Sequence, residues 1–472
     1  MTPISFVRFN AVAGYARRPM TGVTAEELAW YEHDQGRILG LILRDRADGD
    51  FGHLVFAPDQ RRRYRNVHVG FEADRRRAEV ALRRALEAAA MAPVEDHHQG
   101  DEVGGPVDFF ALSRPRERLH PSFVVLMESP GYAPARRMIE PMMRWFDDVD
   151  GNFIEQFQTT GFDQRIWELY LFAAFIEMGY ELDRRHAVPD FSLVGLRGAF
   201  SVEAVTVGAS PTEKLAPPVR DTVEGMRTYL QDYMPIKFGS ALYSKLRKRY
   251  WERENVAGRP LVFAIEDFSS PGSMVETRVA LDIYLYGYDH NWTRDAEGRL
   301  VITPRRIETH RWGKKVIPSG YFRQPDAENI SAVLFSNSGT IAKFNRMGVL
   351  AGFGDPDLLV MREGLIVNHN PNATEAIPFR HVVNDPRYSE NWGEGLDVFH
   401  NPNALHPLDP GLLPGAAHHF LLENGLRESR TPDWHPLTSV TRMLGGVDVE
   451  ALLSRQEAQA EIETGRGGSY PT

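Results

Sequence analysis

The sequence predicts an α/β protein centred on a mixed sheet flanked by helices, and three observations carry that reading. Ile166 to Ile176 is free of charge except for Glu168, the mark of a buried helix. Two extended runs follow, Val188-Pro189-Asp190-Phe191 and Phe200 to Val207, with Gly195-Leu196-Arg197-Gly198 between them as the turn of a hairpin. Pro260 to Ile265 then reads as a buried strand suited to pair beside that hairpin.

The whole chain sets the bounds. Its 472 residues leave room for about two to four domains. A composition of 42% hydrophobic and 25% charged residues is that of a globular protein. No apolar run approaches the roughly 20 residues of a membrane span, so no membrane partner is expected. Met1 to Arg8 has no basic stretch leading into an apolar core, so no signal peptide is expected. The absence of cysteine excludes disulfides and thiolate metal sites and fits a cytoplasmic setting. The formal net charge of −10 argues against a generic polyanion binder but leaves room for a local contact surface. The sequence contains no P-loop, no His-Glu-x-x-His and no Gly-x-Ser-x-Gly.

In order, the chain divides into an N-terminal α+β domain (1–105), a connecting strand and helix (106–155), a core (156–350), a turn-rich C-terminal region (351–455) and a flexible tail (456–472). In the first unit, Ile38 to Leu43, His53 to Ala57 and Val67 to Phe71 are strands, and the alanine- and leucine-rich Ala78 to Met91 is a helix. Arginines at 61, 62, 63 and 65 and at 75, 76 and 77 suit either phosphate contact or a solvated face balanced by Asp59, Glu72, Asp74 and Glu79; the second reading is favoured. Ala92 to Pro106, with adjacent His97 and His98, reads as an exposed linker or loop. Phe123 to Met127 is a short strand and Pro134 to Phe146 a helix that Pro141 should kink or restart. Asp147 to Asn152 tempts a calcium reading, but loop positions one and twelve fall on Phe146 and Phe157, so it is an acidic turn.

Thr160 and Asp163 suit the start of the Glu168 helix. After the hairpin, a helix from Val219 to Tyr233 should break at Pro235, and a second runs from about Ser240 to Glu254 with Lys245, Arg247, Lys248 and Arg249. Strict alternation of Val279, Leu281, Ile283 and Leu285 predicts a half-buried strand over Thr277 to Tyr286, paired with Leu300 to Thr303. Arg305, Arg306, Arg311, Lys314, Lys315 and Arg323, interleaved with Trp312, Tyr321 and Phe322, read either as a nucleic-acid backbone track or as an ordinary surface hairpin. Ile330 to Phe335 and Thr340 to Met347 should finish the sheet as a strand and a helix. His-Asn-Pro-Asn-Ala occurs at 369–373 and again at 400–404, most simply one Asx-type turn used twice; a metal role for His369, His400 and His406 is the weaker alternative.

Three carboxylates stand out. Glu168 shares a helical face with Leu171, Phe172 and Phe175, where a carboxylate is costly unless paired, hydrogen-bonded or metal-bound. Asp190 opens a strand after Pro189. Glu203 interrupts a β-branched run where a neutral side chain is expected. Helix, strand, turn and strand could bring all three together; an internal salt bridge of Glu168 with Arg165, a turn role for Asp190 and an edge position for Glu203 are the plain alternatives.

This order resembles the PD-(D/E)XK, or restriction-endonuclease-like, nuclease superfamily, and more closely a group of uncharacterised bacterial proteins sharing the Trp-Glu-Leu-Tyr helix, the Pro-Asp-Phe strand and the Glu-Ala strand. The resemblance implies a metal-dependent nuclease. Asp190 and Glu203, with the carbonyl of Ala204, would hold Mg²⁺ or Mn²⁺, and Glu168 would support the site. The partner would be nucleic acid, DNA first, and a homodimer is admitted. The motif lysine should stand at 205, which is Val205; as in some superfamily members it would come from a following helix, with Lys245 the candidate and Lys248 the reserve. A nuclease fold without chemistry, serving as a binding module, is the alternative.

Overall fold

The computed structural model describes residues 1–146, 151–183, 185–209 and 216–446 and is a mixed α/β protein with several sheets. The acidic turn at 147–150 and the tail at 456–472 lie outside the described residues. Among those described, no helix is long and apolar enough to cross a membrane.

The N-terminal unit is a five-stranded antiparallel sheet in sequential order: β1 (Thr2–Ile4), β2 (Ala25–His33), β3 (Ile38–Asp45), β4 (Phe51–Pro58) and β5 (Tyr64–Glu72). Helix α1 (Phe6–Ala13) and the single turn α2 (Thr21–Thr24) lie between the first two strands, and α3 (Arg75–Met91) follows the last. The run Ile38 to Leu43 is apolar throughout because β3 is covered on both faces. Ile38 and Ile42 pack under Leu82 and Leu86 of α3, while Leu39, Leu41 and Leu43 pack with Phe9 of α1. β1, β2 and α1 were not expected from the sequence. For four of these arginines the favoured reading agrees with the geometry, since Arg63 pairs with buried Asp59 at 2.8 Å, Arg65 with Asp101 at 3.1 Å, Arg75 with Glu79 at 2.9 Å and Arg77 with Asp74 at 3.2 Å.

The expected strand at Phe123 to Met127 is instead helix α4 (Pro121–Glu128). Pro121 suits a first helical turn, and the buried pair Phe123 and Leu126 is spaced at i, i+3 with Val125 left exposed. Helix α5 (Ala133–Trp145) passes through Pro141 without ending. A short α6 (Phe153–Gln158) leads into α7 (Phe162–Glu177), which is almost wholly buried; Gly161 occupies its N-cap and no side chain caps it, contrary to the role expected of Thr160.

The central sheet begins with β6 (Tyr180–Leu182), β7 (Phe191–Gly195) and β8 (Gly198–Val207). β7 and β8 form the expected hairpin, with Gly195 opposite Gly198 across a two-residue turn. Helix α8 (Val223–Thr228), a π-helical turn at Tyr229–Tyr233 and α9 (Met234–Leu246) follow without interruption. Pro235 therefore does not break the chain: the π-turn precedes it, and it sits in the first turn of α9, where no N–H is needed. The second helix consequently begins and ends earlier than the expected 240–254.

Strand β9 (Leu261–Asp267) pairs in parallel with β8. The expected strand at 277–286 is α10 (Arg278–Tyr286), buried from Ala280 to Tyr286. Its alternation carried no facial information because Ala280, Asp282 and Tyr284, the positions between, are buried as well. Two hairpins follow, β10 (Tyr288–Arg294) with β11 (Leu300–Arg306) and β12 (Thr309–Trp312) with β13 (Lys315–Pro318). β14 (Ala332–Phe335) pairs in parallel with β9, and α11 (Ile341–Gly348) comes next, close to the sequence expectation.

The C-terminal region is not a separate turn-rich appendage. β15 (Leu358–Ile366), β16 (Ile377–Val382) and β20 (Pro436–Gly445) form a three-stranded sheet. β17 (Asp397–His400), β18 (Ala417–Leu421) and β19 (Arg427–Arg430) join the central sheet, whose order is β19-β18-β17-β14-β9-β8-β7-β6. One face of that sheet packs α7 against Val202, Ala204, Val262 and Ala264. The other packs α9 and α10 against Val205, Phe263 and Ile265.

Candidate active site

The three acids and the lysine meet where β7 begins beside β8. On β8, Glu203 and Val205 point to the α9 face, and Val205 is buried there among apolar side chains. A lysine at 205 would have to leave that core, and the amino group that does reach Glu203 comes from the helix above. Lys245, in the last turn of α9 between buried Leu242 and Leu246, places Nζ 2.5 Å from Glu203 Oε1. Tyr250 OH, buried beneath it, donates to the same oxygen at 2.6 Å. Burial, and then the neighbouring Glu203, push the Tyr250 phenol far up, so it remains a hydrogen-bond donor.

Asp190 accepts the N–H of Ala204 through Oδ2 at 2.7 Å. In a strand the N–H and C=O of one residue point to the same side. The Ala204 carbonyl therefore also faces the side on which Asp190 lies, just beyond the end of the β7–β8 ladder at Phe191 and Val202. Burial raises the Asp190 carboxyl well above its ordinary range, and Glu203 and then Glu168 raise it further, against Lys245 and the Ala204 amide.

Glu168 is 2% exposed and approaches from α7. Gln164, one turn earlier, donates to it at 2.8 Å, and Arg165 pairs with it at 2.6 Å. Burial nonetheless raises its carboxyl, with Arg165 the main opposing charge. Gln164 also accepts from Thr206 Oγ1 at 3.0 Å and lies 3.5 Å from the Ala204 carbonyl, tying α7 to the site strand. The Arg165 salt bridge anticipated as the plain reading of Glu168 is thus present, and Glu168 also acts electrostatically on Asp190 and feels Lys245. Lys248, the reserve lysine, instead stands over the Tyr250 ring at 5.9 Å.

Comparisons with models of protein families, with curated proteins and with solved structures return no match. The site is therefore read from its own geometry. Among the described residues, no three His, Asp or Glu side chains form a group able to hold a metal ion by themselves. The available oxygen donors are the Asp190 and Glu203 carboxylates and the Ala204 carbonyl, hard ligands suited to Mg²⁺ or Mn²⁺.

Two residues of the site, and one buried acid on the neighbouring strand, escaped sequence reasoning. Gln164 sits at i−4 from Glu168, a spacing that could have suggested it. Tyr250 had no signal. Glu266, on β9 opposite Thr206, is a fully buried carboxylate in an apolar strand, the same anomaly that singled out Glu203. Burial raises its carboxyl strongly, and it lies against Gly339, whose amide offers partial relief.

Other candidates separate from the site. His369 is on an exposed turn with its ring near the Asp433 carbonyl, whereas His400 is buried against His418 at 2.9 Å. The repeated pentapeptide is one turn used twice: Asn370 accepts from Asn372 N at 3.0 Å and Asn401 from Asn403 N at 2.9 Å. In the basic window, Tyr321 and Phe322 are buried and cannot stack on bases, and Arg305 pairs with Asp289 at 2.7 Å. That window is a surface hairpin followed by a core turn.

Proposed function

We propose that the chain is a metal-dependent nuclease of the PD-(D/E)XK kind, hydrolysing phosphodiester bonds of nucleic acid, DNA first, on a restriction-endonuclease-like core. The observation that carries this is the reach of Lys245 from α9 to Glu203, within the same cluster as Asp190 and Glu168. It supplies the amino group that Val205 withholds.

The donor set fits a divalent cation. Asp190 and Glu203 stand together beside the Ala204 carbonyl, which Gln164 Nε2 approaches at 3.5 Å, and Lys245 faces Glu203. A cation held by Asp190, Glu203 and the Ala204 carbonyl would neutralise phosphate charge and acidify its own water. The chain's own groups do the rest. Lys245 would donate to the phosphoryl oxygen on which charge develops. Tyr250 holds Glu203 in place when Lys245 turns to substrate. Glu168, oriented by Gln164 and Arg165, would accept a hydrogen bond from the attacking water and align it.

The test is cleavage of linear and circular DNA with Mg²⁺ or Mn²⁺. Asp190→Asn is expected to abolish cleavage with an unchanged circular dichroism spectrum, and wild-type cleavage by that variant would end the assignment. A second reading, a silent nuclease fold that binds nucleic acid or protein, is favoured by Glu203 being held already by both Lys245 and Tyr250. DNA binding without cleavage under every metal condition would select it.

A further inference from the structure

A second charged site lies between the N-terminal unit and α5, and it shares no residue with the carboxylate cluster. A cavity of about 580 Å³ is lined by five arginines: Arg8 of α1, Arg37 and Arg62 of the N-terminal sheet's loops, and Arg137 and Arg144 of α5. A neighbouring cavity, also about 580 Å³, shares Arg62, Tyr64, Glu140 and Arg144 with it. In a chain of net charge −10, so many guanidinium groups at one hollow is a local reversal of sign.

The carboxylates here are already taken. Asp34 holds Arg37 at 2.6 Å, Glu140 holds Arg144, and Glu32 holds Arg8 at 3.3 Å. Arg62 and Arg137, both exposed, donate no side-chain hydrogen bond and form no salt bridge among the described residues, although Glu32 acts favourably on Arg137. The buried Nε of Arg144 also lacks an acceptor. Arg8 and Arg137 both stand over the Phe353 ring, at 4.6 and 4.3 Å, and burial, then Arg8, disfavours the charge on Arg137.

The backbone adds an independent observation. Among the described residues, five non-glycine positions have positive φ, and three of them line this cavity: Asp34 (51°), Gln35 (56°) and Arg62 (60°). Left-handed backbone in such residues is costly and collects at ligand-binding sites. Here it turns Arg62 and the Asp34–Arg37 loop toward the hollow.

The geometry points to a binding site for a small polyanion, a di- or triphosphate of nucleotide size, held by Arg8, Arg62, Arg137 and Arg144. The volume is in the range of small-molecule sites, and planar guanidinium forks match phosphate oxygens in pairs. A single-stranded nucleic acid offers the same phosphate chemistry from another source, and the experiment separates the two.

Pyrophosphate, ATP and a 12-nucleotide single strand (an arbitrary probe length of about a dozen) would be titrated into the full chain by calorimetry at two salt concentrations. Pyrophosphate or ATP is expected to bind, more weakly at higher salt. Arg137→Gln and Arg62→Gly should each weaken binding by about tenfold, the effect of losing one charged hydrogen-bond donor. Arg62→Gly is the informative variant, since glycine accepts φ of 60° and the unfolding midpoint should stay level or rise. No heat from pyrophosphate or ATP, binding unaltered by both substitutions, or binding of the strand alone would each overturn the proposal.

Discussion

Replacing Lys245 by alanine separates catalysis from folding and from metal binding. In the structure its Nζ is 2.5 Å from Glu203, a carboxylate 4% exposed that keeps Tyr250 as a second donor at 2.6 Å. Losing one charged hydrogen bond to a largely buried acid costs about 1.5–3 kcal/mol of stability. Losing the donor to the developing phosphoryl charge costs about 2.7–4 kcal/mol of transition-state stabilisation, or roughly 10²–10³ in rate. Affinity for Mn²⁺ should hold or increase, because the amino group competes with a cation for Glu203. The assay is single-turnover DNA cleavage beside a Mn²⁺ titration and urea unfolding of the same preparations. Lys248→Ala is the control, as that amino group faces the Tyr250 ring rather than the acids. A wild-type rate in Lys245→Ala, or the loss appearing in Lys248→Ala instead, would refute the assignment of the lysine.

Four further outcomes follow from the burial of charge. Asp190→Asn should raise the unfolding midpoint without metal near pH 7.5. The Asp190 carboxyl is raised in the fold, so its ionisation destabilises the native state once pH exceeds the unfolded value near ~3.9, and the gain should vanish below that pH; a lower midpoint in the variant contradicts this. By the same sign, wild-type stability should fall with rising pH more steeply than that of Glu266→Gln, measured as urea midpoints across pH 5 to 8 (a range of about three units around neutrality). Gly339→Ala should destabilise by about 1–3 kcal/mol or more, because a Cβ there would stand 1.9 Å from Glu266 Oε2 and 2.5 Å from the Trp167 ring; a neutral effect in thermal unfolding would show that the turn can shift. Asp397→Asn should cost about 3–5 kcal/mol, since this buried carboxylate of β17 accepts from Arg278 at 2.6 and 2.8 Å and from His419 at 2.8 Å; a soluble variant of unchanged midpoint would refute it.

The Asp397 network also explains what was and was not legible in the sequence. Sequence reasoning found Glu168 and Glu203 because each violates a local rule, a charge on an apolar helical face and a glutamate in a β-branched run, whereas Asp190 was marked only by its place after proline at a strand start. It found the β7–β8 hairpin because a two-residue turn leaves its mark in adjacent residues, and it found β9 and β14 because buried parallel strands are short apolar runs. It failed where the deciding contact is distant. Asp397 pairs with Arg278 across 119 residues, and that pairing ties α10 to β17, the strand that brings the C-terminal region into the central sheet. No local window contains both. For the same reason 277–286 read as a strand: its alternation is compatible with a half-exposed strand, and only packing on both sides by residues far away makes it a buried helix. Lys245 lies between these cases. Its place in the order of elements was readable, but its contact with Glu203 depends on the π-turn before Pro235, which sets the rotation of α9 over β8. A change of one residue in that turn would rotate Lys245 by about 100° around the helix and take its amino group off the acids.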